Sequence, residues 1–342
     1  MAHQQRKLWS GLSAKAKTLA PGRHSNLKFQ TVYFRQIPDP ITPFLMPVIN
    51  LVDQFRFEEA VELIKQYESS NFRGRDGETL YSLAAKQLTR GFGDESESIK
   101  NNESLLAPYK AWYDRRPDCP FAAASYADAL TVTGHSHRGT DWAHKVSEQQ
   151  WAMMKQYSDQ ANEVMNKTQK DFANHWYWSC VYLRLALGCS EPQAVHMQRF
   201  QICVNANRWD VVPYRMITYH MLPRWFGSFE IIDQIANWSA EVTQSQFGMM
   251  MYAFIYDDLK PYHDLEEMNL DWQKMKQGYI DWMTHMPNDC VATSFAASAF
   301  MAEDYDCCLD VLESLNQFFE ACWDCPTNVY LANSICREYT GR

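Results

Sequence analysis

Phe57-Glu58-Glu59-Ala60-Val61-Glu62-Leu63-Ile64-Lys65-Gln66-Tyr67 decides the fold class of this 342-residue chain. Ala60, Leu63, Ile64 and Tyr67 follow the aromatic Phe57 at offsets that put them on one face of a helix. The pattern returns near the other end, where Cys308, Val311, Leu312 and Leu315 follow Tyr305 at the same offsets. A helix with one apolar face needs a neighbour to cover it. Short breaks between helical segments make the next helix in sequence that neighbour.

The same period runs through most of the chain. It predicts a first helix pair near 44–68 and 77–90, broken at Gly74 and Gly77, then helices near 102–116 and 120–133 hinged at Arg116-Pro117-Asp118-Cys119-Pro120. A loop is expected at Thr133-Gly134-His135-Ser136-His137-Arg138-Gly139, before helices near 147–167, 169–187, 191–206 and 211–221. Beyond a break at 222–228 come 229–244, 247–259, 270–285, 290–301, 304–320 and 327–338. Ser147-Glu148 and Ser190-Glu191-Pro192 carry N-terminal capping chemistry. Only Leu27–Ile37 reads as extended, and Pro38, Pro40 and Pro43 make a stiff connection after it.

The expected fold is all-α: irregular stacked helical hairpins, as a TPR-like α-solenoid or α/α superhelix. An aromatic three residues before a small residue, then a helix face, resembles a tetratricopeptide hairpin, without that repeat's strict period. The expected organisation is a basic arm over 1–40 and a continuous helical body over 41–342.

Composition narrows the function classes. Apolar residues are 46% and aromatics 14% of the chain, with 12 Trp and 16 Met, which suits a well-filled helical core. The net charge is −9, yet the first acid is Asp39; Arg6, Lys7, Lys15, Lys17, Arg23, Lys28 and Arg35 precede it, which leaves −16 for the rest. An acidic body argues against nucleic-acid binding. No apolar run reaches the ~20 residues of a membrane span. Leu8, Trp9, Leu12, Ala16 and Leu19 give residues 7–19 the pattern of a basic amphipathic helix suited to weak membrane-surface contact. Without an export signal, the 10 cysteines read as reduced, mostly buried thiols, and the expected location is the cytoplasm.

Leu222-Pro223-Arg224-Trp225-Phe226-Gly227-Ser228 is the stretch least like generic packing. Pro223 turns the chain, Gly227 permits a tight path and Ser228 can cap the next helix. Arg224 and Trp225 are candidate recognition residues, with His220 beside them and Arg138 and Trp142 at an earlier turn. The stretch reads first as a joint between two helical layers, with Trp225 buried between helices and Arg224 tied to a carboxylate; recognition is their role if their side chains are exposed.

Other constellations are less specific. His135 and His137, with His144 nearby, have the residue types of a metal site but no evident third ligand. Cys322-Trp323-Asp324-Cys325 is a C-x-x-C to which Cys307, Cys308 or Cys336 could add zinc ligands, although periodicity buries Cys308. The acidic groups Asp264, Glu266, Glu267, Asp271 and Glu303, Asp304, Asp306, Asp310 read as solvated faces. No phosphate loop, dinucleotide fingerprint, nucleophile elbow, metalloprotease or kinase signature is present.

Two segments resemble an uncharacterised bacterial family of mostly helical proteins, known only as a domain of unknown function. One comprises Tyr109-Lys110-Ala111-Trp112, Arg116-Pro117-Asp118, Ala122 to Ala127, Arg138-Gly139-Thr140-Asp141-Trp142-Ala143, Val146-Ser147-Glu148 and Trp151. The other is Met221 to Ser228, where the family is similar to Leu/Met-Pro-Arg-Trp-Gly-Gly-Ser. Phe226 replaces a small residue there, and His135-Ser136-His137 departs from the pattern before the Arg-Gly turn. The resemblance covers about residues 100–260 and implies helical architecture and the two loops, without an activity.

The expected function is a non-enzymatic protein-protein interaction module of a bacterial cytosolic protein, with no cofactor or metal and another protein or peptide as partner. An inhibitor or immunity partner of a toxin is the narrower candidate. The alternative is a metal- or thiol-dependent enzyme using His135/His137 or the C-terminal cysteines.

Overall fold

The computed structural model describes residues 30–32, 40–74, 76–225, 227–263, 265–319, 322–323 and 326–342. The amphipathic pattern of residues 7–19 lies outside them, as do Phe226, Asp264 and Cys325. The described chain is all-α and built from helical hairpins. In order, the helices are α1 Thr42–Asp53, α2 Phe57–Gln66, α3 Leu80–Ala85, α4 Ile99–Arg115, α5 Pro120–Arg138, α6 Glu148–Phe172, α7 Trp176–Gly188 and α8 Gln193–Ala206. There follow α9 Val212–His220, α10 Phe229–Phe247, α11 Met250–Leu259, α12 Trp272–His285, α13 Asp289–Met301, α14 Tyr305–Ser314 and α15 Pro326–Thr340. One short parallel pair, β1 Gln30–Val32 with β2 Gln317–Phe319, joins Gln30 to Gln317 and Val32 to Phe319. β1 falls within the expected extended piece. β2 is a correction, since a helix was expected through residue 320 and α14 ends at Ser314.

The expected helix 44–68 is two helices, because Phe55 adopts a left-handed backbone with φ of 56°. Phe55 N–H donates to Val52 O at 2.9 Å and Arg56 N–H to Leu51 O at 2.9 Å, closing α1 with a Schellman-type turn. The turn recurs twice. Glu303, with φ of 58°, closes α13 through Glu303 N to Phe300 O and Asp304 N to Ala299 O. Ser190, with φ of 52°, closes α7 through Ser190 N to Leu187 O and Glu191 N to Ala186 O. α2 and α14 each begin two residues after the left-handed position, so the sequence echo marks two copies of one hairpin turn. Ser190 therefore ends a helix rather than capping the next, and Pro192 takes the N-cap of α8. Ser147 does cap α6, with Gln150 completing a reciprocal capping box.

The helices fall into two compact units, Pro40–Gly227 and Ser228–Arg342, the second also containing β1. In the first, α7 is buried on nearly every side, and only Arg184 and Leu187 escape between Trp176 and Gly188. Arg184 turns its guanidinium onto the buried Asp128 of α5, which also accepts a hydrogen bond from Thr89 at 2.6 Å. Phe57 stacks on Trp112 with ring centroids 4.6 Å apart and meets Tyr109 at 4.7 Å, so the aromatic of the opening motif is a core residue. Truncating a side chain so placed costs about 3–5 kcal/mol.

The expected loop 133–139 is the last turn of α5. A Cβ on Gly134 would lie 3.1 Å from Met154 O and 3.0 Å from the Tyr157 Cβ of α6. Gly134 thus serves close approach of two helices and does not break one. In the second unit α13 is buried continuously from Val291 to Phe300. Tyr279 of α12 stacks on Phe295 at 4.8 Å. Among the described residues no helix is long and apolar enough to cross a membrane.

Candidate partner-binding surface

α9 delivers the chain to the surface at Pro223 to Trp225. Asp210 accepts a hydrogen bond from Val212 N–H at 3.0 Å at the start of the helix. At its end His220 is 3% exposed, and its Nδ1 lies 2.9 Å from Nδ1 of His196 on α8. His196 Nε2 is 3.0 Å from the carbonyl oxygen of Glu191, which only accepts, so Nε2 carries a proton. In the neutral ring Nδ1 is then the acceptor, and His220 Nδ1–H donates to it. Burial, then the His196 ring, pushes the His220 imidazole down to about 3. Burial also lowers that of His196, partly opposed by its bond to the Glu191 carbonyl. This pair fastens α9 to α8 from inside, so His220 is not a partner contact, a correction to the sequence expectation.

Met221 and Leu222 remain buried, then the chain turns. Leu222 N–H donates to Tyr219 O at 3.3 Å and Trp225 N–H to Leu222 O at 2.8 Å. Pro223, Arg224 and Trp225 face outward, with Trp225 44% exposed. The burial expected for a structural Trp225 is thus overturned. The Arg224 guanidinium carbon lies 5.1 Å from the Tyr219 ring centre and 5.9 Å from that of Trp225. The two rings are 6.2 Å apart. Tyr219, half-buried, completes the cluster. The sequence signal for it was its position in the last turn before the proline break.

Arg138 and Trp142 form a second aromatic surface. Arg138 Nη1 donates to the carbonyls of Gly139 at 2.8 Å and Asp141 at 2.7 Å, fixing the turn after α5. Its guanidinium carbon stands 5.3 Å from the Trp151 ring centre. Trp142 is 75% exposed and Trp151 40%. Arg138 is thus committed to its own turn, while Trp142 and Trp151 carry the apolar area. Trp151 was legible only as part of the family-like run.

The histidines expected on one loop do separate jobs. His137 bonds Glu103 at 3.1 Å and stacks on Tyr157 at 5.3 Å. His135, two residues earlier on the same helix, is held below its usual range first by burial, then by Arg184. His144 is exposed. No group of three side chains able to hold a metal occurs among the described residues. Cys308 is fully buried near Cys336, whereas Cys322 lies beside Cys290. Asp271 caps α12 and Asp304 caps α14 while pairing with Lys276 at 2.8 Å, so these acids are structural.

One half-buried network escaped the sequence reading. Lys260 Nζ lies 2.5 Å from Asp257, 2.5 Å from Ser294 Oγ, 3.0 Å from Ser298 Oγ and 3.2 Å from Tyr279 OH. Burial works against the ammonium, but Asp257 beside it more than offsets this and raises the Lys260 pKa. Lys260 is therefore a cation fixed by its partners, not a base available to Ser294. Lys260 follows the last residue of α11 and its partners lie on three helices, so their spacing along the chain did not reveal the group.

No protein-family model, curated protein or solved structure matched this chain when each set was compared with it.

Proposed function

We propose that this chain is a protein- or peptide-binding module built from TPR-like helical hairpins, a bacterial cytoplasmic protein of the helical family it resembles. Arg224, Trp225 and Tyr219 form its recognition centre, and Trp142 and Trp151 form a second contact. The observation that carries this reading is the exposure of Trp225 on a loop that leaves the buried Met221 and Leu222 and whose Gly227 packs back against the Met221 main chain. Exposed Trp and Arg side chains held in one geometry lose little entropy on binding and are the residue types that dominate interface energies. The partner would offer an apolar side chain to Trp225 and a carboxylate or carbonyl edge to Arg224. The net charge of −9 favours a partner that is cationic overall, in keeping with an inhibitor or immunity partner of a basic toxin.

Affinity capture from the native host tests this, using three baits: the unaltered chain, Arg224→Ala and Trp225→Ala. The same protein should be retained by the first and depleted at least tenfold on both variants, with helicity preserved and the melting temperature lowered by no more than a few degrees. Equal recovery on all three baits would remove the 219–225 surface as the recognition centre.

A further inference from the structure

The second unit places two thiols together that are 32 positions apart in sequence. Cys290 is the second residue of α13, whose cap Asn288 accepts a hydrogen bond from Val291 N–H at 3.0 Å. Trp323 is buried, donates its indole N–H to Thr293 O at 3.2 Å and accepts from Asn328 at its carbonyl at 2.8 Å. These bonds hold the preceding residue, Cys322, over the first turn of α13. Its Sγ lies 4.0 Å from the Cys290 carbonyl oxygen, so the two cysteines are neighbours across the first turn of α13.

Access separates this pair from two others. Cys180 meets Cys203, and Cys308 meets Cys336, but all four are buried. Cys290 and Cys322 are both partly exposed. Cys290 beside it, then burial, holds the Cys322 thiol well above its usual range, while the Lys260 ammonium acts in the opposite sense. Cys322 thus keeps its proton, while Cys290 stands in the first turn of a helix, a position that favours thiolate.

We propose that Cys290 and Cys322 form an accessible dithiol that a small-molecule disulfide of the glutathione type converts into an intramolecular disulfide. The Cys290 thiolate attacks one sulfur of the small disulfide; a protein–small-molecule S–S bond forms and one small thiolate leaves. Cys322 loses its proton and attacks the Cys290 sulfur, forming the Cys290–Cys322 bond and expelling the second small thiolate. Two protein thiols give up two electrons and two protons, and one small disulfide becomes two thiols. The new bond ties the first turn of α13 to the segment after β2. It leaves the Arg224–Trp225 surface out of the chemistry, so the proposal stands apart from the binding function.

The test treats the full chain with oxidised glutathione, then maps a non-reducing chymotryptic digest by mass spectrometry. Trypsin will not serve, because no Lys or Arg lies between Lys276 and Arg337. The expected result is a Cys290–Cys322 linked peptide, the loss of two titratable thiols per chain, a melting temperature raised by a few degrees, and reversal by dithiothreitol. Cys290→Ser should leave Cys322 unbridged. A Cys322–Cys325 bridge, glutathione retained on either cysteine of the unaltered chain, or no loss of thiols would overturn the proposal. The mapping on the unaltered chain decides the matter even if the variant folds poorly.

Discussion

A Cβ on Gly227 would stand 2.2 Å from the carbonyl oxygen of Met221 and 2.6 Å from its carbonyl carbon. The chain leaves α9 buried at Met221 and Leu222, shows Pro223, Arg224 and Trp225 to solvent, and returns onto the backbone it has just left. The loop is closed at its base by contact between two main-chain segments. Its exposed arginine and tryptophan are consequences of that closure.

Gly227→Ala should therefore cost about 1–3 kcal/mol, because the obstructing atoms are backbone and cannot rotate aside. Urea unfolding measures this directly. A variant as stable as the parent would mean that the loop base is looser than the geometry requires.

Arg224→Ala and Trp225→Ala should behave differently. Exposed substitutions usually change stability by about 0.5 kcal/mol or less, and the lost cation–π contact adds roughly 0.5–1 kcal/mol. Trp112→Ala provides the contrast, since Trp112 is buried against Phe57 and its truncation should cost about 3–5 kcal/mol. If either loop variant unfolds as readily as Trp112→Ala, the loop is a structural joint and not a recognition surface.

Acid should weaken the first unit through its histidines. Burial pushes His220 down to about 3 and His175 down to about 4. In the folded state these rings stay neutral, while the unfolded chain takes up protons below its ordinary value of 6.5. Stability is therefore full above 6.5 and falls as the pH drops towards the folded values, by up to ~1.4 kcal/mol per pH unit for each ring. Glu78 and Asp210, raised first by burial, act with the opposite sign above their usual carboxylate values. Comparison with His220→Gln isolates one histidine: between pH 6.5 and 5 the variant should lose about one ring's share of the slope. Unfolding free energies from urea titrations at several pH values read this, and an unchanged slope would contradict the buried neutral pair.

Three hairpin turns use non-glycine residues in the left-handed region, where a Cβ costs roughly 1–2 kcal/mol. Ser190→Gly and Glu303→Gly keep the turn and remove that cost, offset in part by the greater freedom of glycine in the unfolded chain. Each should raise stability by about 0.5–1 kcal/mol, seen as a higher melting temperature. A decrease would show that these side chains make contacts worth more than the strain.

These turns also explain what could be read from sequence. The helical faces after Phe57 and Tyr305 were legible because burial imposes a period on side-chain chemistry. The break before α2 was not, since Phe55 carries no signal for a left-handed backbone that Gly or Asn would have given. Gly134 misled in the opposite direction: a residue type that often breaks helices here lets α5 and α6 touch. At the candidate surface, Pro223, Gly227 and Ser228 announced the turn, but whether Trp225 pointed in or out depended on tertiary packing. His220 looked equally available, and only the His196 ring opposite it, 24 residues earlier, consigns it to the interior. The meeting of Cys322 with Cys290, and of Lys260 with Ser294, depends on helix placement that local spacing does not encode.

The most direct test of the recognition surface puts a photo-cross-linking amino acid at position 225 and, as a control, at the buried position 112, in the native host. The account predicts one discrete cross-linked protein from position 225 that is lost when Arg224→Ala is added, and none from position 112. No cross-linked product from 225, or one unaffected by Arg224→Ala, would contradict it.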